Sequence, residues 1–342
     1  MLARRRSDAR SFTSSLRSFV YMVGFSILLP SAEGKESGGN PFAPDMFDYR
    51  TSDTFNYFSR LNHERRALID ALHAHIDGAD DDTLQKLFGV QGTTLESAVR
   101  ANLNVYDSPL MSAIERYGPG VMYKSIDFQA LPTGAQRRLL ENGIIFSGLF
   151  GILRPDDLIP EYKLKMDASV DEIGRVSSFW KPILSPALNE ALAGKFVWNL
   201  LPGVHQAAWD DDGSYRAMVQ VKFYRQDESG ERKAVTHGVK ELRGALVGFI
   251  VQDVTDSIEG LADWEAPDGY ELDMDATEFD DATKTGTVVL VQYPDWEARR
   301  AAREAARAEE EANKPKRVRR SDDEDENEQI EEPDDEPVSD DD

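Results

Sequence analysis

The clearest structural pattern in this chain is the stretch Gly143-Ile-Ile-Phe-Ser-Gly-Leu-Phe-Gly-Ile-Leu-Arg-Pro155. Ile144, Ile145 and Phe146 near its start are β-branched or aromatic, which favours a short strand. Ser147 and the glycines that follow it permit tight backbone geometry, so the strand leads into a compact loop. The pattern predicts one strand of a sheet over residues 143–146 and a loop over residues 147–155.

Arg154 gives this loop its chemistry. Its guanidinium is a planar fork that binds phosphate or carboxylate groups. In one interpretation Arg154 joins Ser147 and Gly148 in an anion-binding cleft. In the alternative it pairs with Asp156 or Asp157, and the stretch is only a folded turn. The sequence leaves both interpretations open.

Strand and helix patterns alternate on both sides of this stretch without a regular repeat. Apolar or alternating runs predict strands, and apolar residues at helical spacing predict helices. The predicted strands are 25–29, 143–146, 196–200, 215–225 and 287–293. The predicted helices are 62–76, 83–88, 94–103, 110–116, 178–192 and 239–251. We therefore expect an α+β fold, a single mixed-sheet domain with interleaved helices over residues 22–294.

Two short predicted helices over about residues 83–103 have the spacing of a helix-hairpin-helix embedded in this domain. The glycines between them let the backbone approach a phosphate. The N–H groups that open the second helix lie at its positive end, which favours an anion, and a threonine there would cap it. Such contacts hold duplex DNA without reading its sequence. The predicted DNA-binding residues are Lys86, Gly89, Gly92, Thr93 and Thr94. The alternative is an ordinary helix–turn–helix corner with a glycine C-cap.

Further candidate residues lie on two other segments. Ser31 and Lys35 follow the first predicted strand in a glycine-rich loop, and Lys240 and Arg243 begin a predicted helix. We expect both segments to converge with the loop after residue 146 on one cleft that binds an anion or a nucleic acid. The predicted cleft residues are Ser31, Lys35, Ser147, Gly148, Arg154, Lys240 and Arg243.

The composition excludes several classes of protein and of site. The 342 residues include 39 Lys or Arg against 63 Asp or Glu, a formal net charge of −24. A globally basic nucleic-acid binder is therefore excluded, and any DNA contact must come from a local patch. The absence of cysteine removes disulfides, thiolate nucleophiles and Cys-ligated metal or iron–sulfur sites, and it fits a reducing compartment.

Metal ligands are not grouped in the sequence. His73 and His75 lie two residues apart on a predicted helix and so point to different faces. The acidic runs 80–82 and 210–212 lack the alternating ligand spacing of a calcium or iron loop. We expect no metal site and no cofactor.

Catalytic motifs are also missing. The sequence contains no Gly-x-Ser-x-Gly, no Walker loop and no His-Glu-x-x-His, so we expect a binding protein rather than an enzyme. Two features keep an enzyme as an alternative. One is a Ser31–Lys35 pair, and the other is a Lys240 whose pKa is lowered by burial near Arg243.

The two ends differ from the body of the chain. Residues 1–21 carry five Arg and one Asp and imitate the start of a secretory signal peptide. We expect instead that the biological start is Met22 and that these residues are a disordered or misassigned extension. No run of about 20 apolar residues is present, so we expect no membrane contact.

The C-terminal end is highly charged. Residues 295–320 predict a solvated charged helix that leads into a basic run. Residues 321–342 contain fourteen Asp or Glu and no Lys or Arg, and we expect them to be disordered. One interpretation is a solubilising tail. The other is a polyanion that competes with DNA for the basic patch of the protein.

Several motifs resemble the YaaA-like peroxide stress proteins. They are Ile27-Leu-Leu-Pro-Ser-Ala-Glu-Gly-Lys35, Tyr117-Gly-Pro-Gly-Val-Met-Tyr123, the stretch 147–160 with Tyr162, Leu164 and Met166, Lys240-Glu-Leu-Arg-Gly244, and Gly269-Tyr270. The resemblance covers about residues 22–294. The chain departs from the family after Asn199-Leu200, where Leu-Pro-Gly-Val-His205 replaces the more usual Ala-Ser-Asn-Glu-Tyr, so a role of that polar loop is not carried over.

The resemblance implies an α+β fold with a helix-hairpin-helix beside a positively charged cleft. It also implies a cytoplasmic protein of the oxidative stress response that limits damage from iron and peroxide and binds duplex DNA. The alternative function is that of an enzyme. Its small-molecule substrate, a nucleotide or nucleobase, would bind in the same cleft. Steep loss of DNA affinity with salt would favour the first function, and salt-tolerant binding of a discrete ligand would favour the second.

Overall fold

A computed structural model of the chain describes residues 24–40 and 57–313. The described residues fall in two compact units that divide after Trp296. The predicted start at Met22, the extension 1–21, the basic run 314–320 and the acidic tail 321–342 lie outside the described residues.

The first unit contains all the strands that the described residues form. Their bounds are β1 Phe25–Pro30, β2 Met111–Ser112, β3 Gly143–Ser147, β4 Gly151–Leu153, β5 Leu158–Ile159, β6 Ser169–Val170, β7 Gly174–Arg175, β8 Phe196–Asn199, β9 Ala217–Gln226, β10 Arg232–Ala234, β11 Tyr270–Leu272, β12 Glu278–Asp280 and β13 Thr285–Gln292.

The helices are interleaved with these strands. Their bounds are α1 Asn62–Gly78, α2 Asp81–Phe88, α3 Thr93–Leu103, α4 Ala113–Arg116, α5 Val121–Ile126, α6 Thr133–Asn142, α7 Val176–Leu192, α8 Gly203–Gln206, α9 Val239–Asp253 and α10 Trp296–Asn313. None of the described helices is long and apolar enough to cross a membrane.

The main sheet has nine strands and is mixed. Its order is β11-β13-β9-β8-β1-β3-β4, with β10 on β9 and β12 on β13. The five strands from β13 to β3 run parallel, whereas β4, β10, β11 and β12 pair antiparallel at the margins. The predicted α+β single domain with a mixed sheet and interleaved helices is confirmed.

Strand β1 lies in the middle of the sheet and is buried along almost its whole length. Leu29 pairs in register with Ile145 of β3, and Ile27 pairs with Trp198 of β8. The sequence Phe-Ser-Ile-Leu-Leu is buried on both faces, which is why it reads as a near-continuous apolar run. Because the chain continues to β3 on one side and later to β8 on the other, the carboxyl end of β1 is a switch point, where open α/β sheets commonly bind ligands.

Two predicted elements differ from those observed. The predicted helix over 110–116 is divided into β2 and α4, because Met111 pairs with Ile159 and the N–H of Ala113 donates to Asp157 O. The predicted loop 147–155 contains β4, which turns back antiparallel on β3. The sequence analysis also missed α5 and α6.

The two helices α2 and α3 are joined by a tight turn. Gly89 ends α2 with φ 66°, and Gly92 precedes α3 with φ 57°, backbone conformations that favour glycine. The expected cap by a threonine side chain is wrong. The N-cap residue of α3 is Gly92, which has no side chain, and Thr93 is already the first residue of the helix. That this helix pair is a DNA-binding hairpin stays a prediction.

Candidate functional site

A cavity of about 650 Å³ lies at the carboxyl edge of the sheet, beside the switch point at β1. We call it the basic cavity, and its wall is formed by residues 30–35 after β1, 119–123 at the start of α5, 163–167, by Pro202, Val204 and His205 after β8, and by Lys240 and Arg243 of α9. The predicted cleft residues Ser31, Lys35, Lys240 and Arg243 are thus brought together. Ser147, Gly148 and Arg154 do not line the basic cavity.

The loop after β1 is fixed at both ends. The N–H of Ser31 donates to Phe146 O on the neighbouring strand at 2.9 Å. Beyond Lys35, the buried guanidinium of Arg116 donates to the carbonyl oxygens of Glu36 and Gly38. These bonds satisfy the loop backbone and hold Lys35 toward the cavity.

Lys35 is a cavity-wall lysine with a strongly lowered pKa. Its Nζ donates to Ala32 O at 3.1 Å and lies 4.3 Å from the centre of the Tyr162 ring. Burial, with a smaller contribution from the nearby charge of Lys163, lowers the pKa of Lys35 from 10.5 to about 7. Near neutral pH a large share of Lys35 is therefore the free amine.

A network of hydroxyl groups lies behind Lys35. The hydroxyl of Tyr162 is 2.7 Å from that of Tyr117 and 2.8 Å from Oγ of Ser147. Burial raises the pKa of Tyr162 to about 12 and that of Tyr117 well above 10, so both stay protonated at neutral pH. The predicted cleft residue Ser147 is a buried member of this network, and it also accepts the N–H of Phe150.

Residues 162–166 supply two lysines that the sequence analysis missed. Tyr162, Leu164 and Met166 are buried, whereas the alternate residues Lys163 and Lys165 are half-buried and line the basic cavity. The visible signal was this period of two, which places successive side chains on opposite faces of an extended segment.

Gly148 positions this lysine segment and does not itself line the cavity. A Cβ at residue 148 would lie 2.5 Å from the carbonyl oxygen of Leu164 and 2.9 Å from the carbonyl carbon of Lys165. The loop after β3 therefore approaches the segment backbone to backbone, as only glycine allows.

Lys240 and Arg243 come from the first turns of α9. Burial lowers the pKa of Arg243, and its Nε is buried without a hydrogen-bond partner. Within the described ranges no ion pair is recorded for Lys163, Lys240 or Arg243. These cations are thus available for an anion in the cavity.

His205 and two carboxylates complete the wall. Burial lowers the pKa of His205 to about 4, so its imidazole is neutral at pH 7, and its buried Nδ1 has no hydrogen-bond partner. Glu33 pairs with Lys165 at 3.7 Å, and Asp167 lies at the same wall. The wall is predominantly cationic, against the net negative charge of the chain.

Arg154 is held outside the cavity. Its guanidinium donates twice to Leu140 O, at 2.8 and 2.5 Å, and lies 4.4 Å from the centre of the Tyr57 ring. Asp157 accepts the backbone N–H of Arg154 at 2.7 Å. The guanidinium that was predicted to bind a phosphate is instead hydrogen-bonded to the backbone carbonyl of Leu140. The stretch is a folded turn.

The α2–α3 turn adjoins the basic cavity through Lys165. A Cβ at Gly89 would lie 2.9 Å from Nζ of Lys165, so the turn backbone packs against that ammonium. Lys86, Thr93 and Thr94 are exposed on the same helix pair. The two sets of predicted residues are therefore linked by a cation that belongs to the cavity wall.

His73 and His75 form hydrogen bonds with different segments of the chain. Nε2 of His73 is 2.8 Å from Asn102 O, and Nδ1 of His75 accepts the N–H of Asp171. Across residues 24–40 and 57–313, no group of three or more metal-ligating side chains is brought together.

Comparison with known proteins gives a family. A family model described as "Peroxide stress protein YaaA" matches residues 25–276, which include the whole basic cavity wall. A UPF0246 protein of Streptomyces coelicolor is 27% identical over 256 residues, 73% of this chain and 92% of that protein. A UPF0246 protein of Dinoroseobacter shibae is 30% identical over 255 residues, 71% of this chain and 89% of that protein. The chain therefore belongs to the YaaA peroxide stress protein family.

Proposed function

We propose that this chain acts in the peroxide stress response by binding the phosphate backbone of duplex DNA across the basic cavity and the α2–α3 turn. The observation that carries this proposal is a set of cations without recorded carboxylate partners, Lys163, Lys240 and Arg243, on one wall. Phosphate contacts by Lys and Arg supply most sequence-independent DNA affinity.

The position of Lys165 supports a continuous binding surface. This side chain lines the cavity, and its ammonium also packs on Gly89 at the α2–α3 turn. The exposed residues Thr93 and Thr94 at the start of α3 add the free N–H groups of a helix end. A DNA backbone bound here would meet both features together.

Family membership supports the wider role. A peroxide stress family fits a protein that limits damage by iron and peroxide, and DNA is a target of that damage. A cytoplasmic location belongs to the same proposal. Survival of cells under hydrogen peroxide, with and without the cavity cations, measures this role apart from binding in solution.

Equilibrium binding to a labelled duplex tests the proposal. We expect Lys240→Gln/Arg243→Gln to weaken binding at low salt by about 10-fold or more, since each phosphate contact contributes on the order of 1 kcal/mol. Lys222→Gln, which removes an exposed lysine of β9 outside the cavity, is the matched control. Equal affinities for both variants and the parent chain would contradict the proposal.

A nucleotide-binding enzyme is the second candidate. The cavity volume of about 650 Å³ lies in the range of small-ligand pockets. Competition by free nucleotide separates the two functions. If the chain is a DNA-binding protein, millimolar nucleotide should leave a long duplex largely bound, whereas a ligand in an enzyme pocket would be displaced. Displacement of the duplex by micromolar nucleotide would favour the enzyme.

A further inference from the structure

Lys35 differs from the other cations of the basic cavity in what surrounds its ammonium. Nζ has Ala32 O at 3.1 Å and the rings of Tyr162 and Tyr117 at 4.3 and 5.6 Å. Within the described ranges no ion pair is recorded for it, and Glu33, in its own loop, pairs with Lys165 instead. The side chain is therefore not held as one half of an ion pair.

The chemical state of this amine fits a nucleophile. Burial and the charge of Lys163 lower the pKa of Lys35 to about 7. A lysine desolvated beside another cation is the arrangement that activates amines toward carbonyl carbon atoms. At the same pH an ordinary surface lysine, with a pKa near 10.4, is almost wholly protonated.

The loop that carries Lys35 is held in place before any ligand binds. The bond from Ser31 N to Phe146 O fixes its start, and the donors of Arg116 to Glu36 O and Gly38 O fix its end. Reactive groups held by such supports keep their geometry through a reaction.

We infer that Lys35 forms a Schiff base with the aldehyde of a phosphate-bearing 2-deoxyribose, presented by an abasic site in duplex DNA. This inference rests on the proposed function, because DNA bound on the cavity wall would bring the sugar to Lys35. Undamaged DNA contains no aldehyde, so the reaction selects damaged sites.

The step balances without a further reactant. The lone pair of Nζ attacks C1′ of the ring-opened sugar and forms a C–N bond. The amine gives up two protons, and the carbonyl oxygen leaves with them as water, so the product is an imine and nothing is oxidised or reduced.

The rest of the wall suits such a substrate. Lys163, Lys240 and Arg243 are available for the phosphates that flank the sugar. The neutral imidazole of His205 lies at the same wall and can accept a proton.

Reductive trapping tests the inference. The full chain is incubated with a duplex that carries one abasic site and sodium cyanoborohydride, which converts the imine to a stable secondary amine. Adducts are counted on a denaturing gel and located by peptide mass spectrometry. A duplex with a tetrahydrofuran abasic analogue, which has no aldehyde, reports binding alone. Free 2-deoxyribose 5-phosphate provides the other source of the same aldehyde.

We expect the adduct on Lys35, at a yield that rises from pH 6 to pH 8. Lys35→Arg, whose guanidinium is no nucleophile, should lower the yield 10-fold or more, whereas Lys222→Arg should leave it unchanged. If Lys35→Arg does not fold, the location of the adduct in the parent chain still decides. Binding of the tetrahydrofuran duplex with no adduct, or with adducts only at the N-terminal amine or at exposed lysines, would overturn the inference.

The two proposals fail in different ways. No binding of either duplex, together with trapping of 2-deoxyribose 5-phosphate on Lys35, would overturn the DNA function and keep the Schiff base with a free sugar phosphate. Failure of binding and of trapping with both sources would overturn both proposals.

Discussion

The ammonium of Lys35 lies against the Tyr162 ring and donates to the carbonyl oxygen of Ala32. Both contacts favour the charged form, yet burial outweighs them and the pKa of Lys35 falls to about 7. A group whose pKa is lower in the folded than in the unfolded chain binds fewer protons when folded. The free energy of unfolding therefore rises with pH between the two pKa values.

This shift predicts a pH-dependent stability. Between pH 7 and pH 9 the Lys35 contribution to unfolding free energy should rise by up to about 1.4 kcal/mol per pH unit. Lys35→Met removes the titrating group, so that rise should be lost. Urea unfolding at pH 6, 7, 8 and 9 measures it, with Lys222→Met as the control. The same slope in Lys35→Met and in the parent chain would show that another group titrates.

Lys35 and Arg154 show which single-residue roles can be predicted from the sequence and which cannot. Lys35 was found because it follows a clear strand in a glycine-rich loop. The role of Arg154 was left open, because a guanidinium at a loop end can bind a phosphate or a backbone carbonyl. Only the packing of α6 near the loop, which presents Leu140 O, decides between them.

At the scale of elements, α9 delivers two cavity cations because it packs closely on α5. A Cβ at Gly244 would meet the carbonyl oxygen of Met122 and lie 2.6 Å from Cβ of Ser125. Close backbone approach at this point sets where Lys240 and Arg243 enter the cavity.

We expect Gly244→Ala to lower the free energy of unfolding by about 1–3 kcal/mol, since the added methyl has no space. Its DNA affinity should fall as well. Gly248→Ala is the matched control on the same helix, because the nearest atoms to a Cβ there are 3.9 Å away. It should be neutral or stabilising by about 0.5–1 kcal/mol, as alanine favours a helix interior over glycine. Thermal unfolding of both variants measures the difference, and equal effects would contradict the packing argument.

The start of α3 allows stability and DNA binding to be separated. Thr94 is exposed in the first turn, where an acidic side chain stabilises a helix through its dipole by about 0.3–1 kcal/mol. Thr94→Asp should therefore keep or raise stability while it repels phosphate and weakens duplex binding. Thr133→Asp, the same change at the exposed start of α6, should leave binding unaltered. Duplex titration of both variants measures the contrast, and equal affinities would remove α3 from the interface.

Elements with a strong period were predicted well, and those that depend on distant partners were not. The predicted helix over 62–76 corresponds to α1, because Leu68, Leu72 and Ile76 recur at helical spacing and are all buried. The helix α5 was missed because Gly-Pro-Gly at 118–120 resembles a turn. The segment 162–166 was noted only as a motif, since an extended segment outside the main sheet carries no pairing signal of its own.

At the scale of the whole molecule, a cavity lined by cations belongs to a chain with a net charge of −24. Fourteen of the acidic residues lie in residues 321–342. A polyanion on the same chain competes with DNA at an effective concentration that a separate polyanion would not reach.

A chain that ends at Arg320 should therefore bind duplex DNA more tightly than the full chain, on the order of 10-fold at low salt. The difference should shrink at high salt, because the screening length falls from about 10 Å at 0.1 M to about 3 Å at 1 M. Fluorescence anisotropy of a labelled duplex measures both. A solubilising tail without a regulatory role would leave the two chains equal in affinity at every salt concentration.

The most direct test of the central claim, that the basic cavity binds the DNA backbone, is the slope of log affinity against log salt. Each lost phosphate contact lowers the slope by about 0.9. Lys240→Gln/Arg243→Gln should therefore reduce its magnitude by about 2 relative to the full chain, whereas Lys222→Gln should leave it unchanged. The same slope in all three chains would show that DNA, if bound, lies elsewhere on the protein.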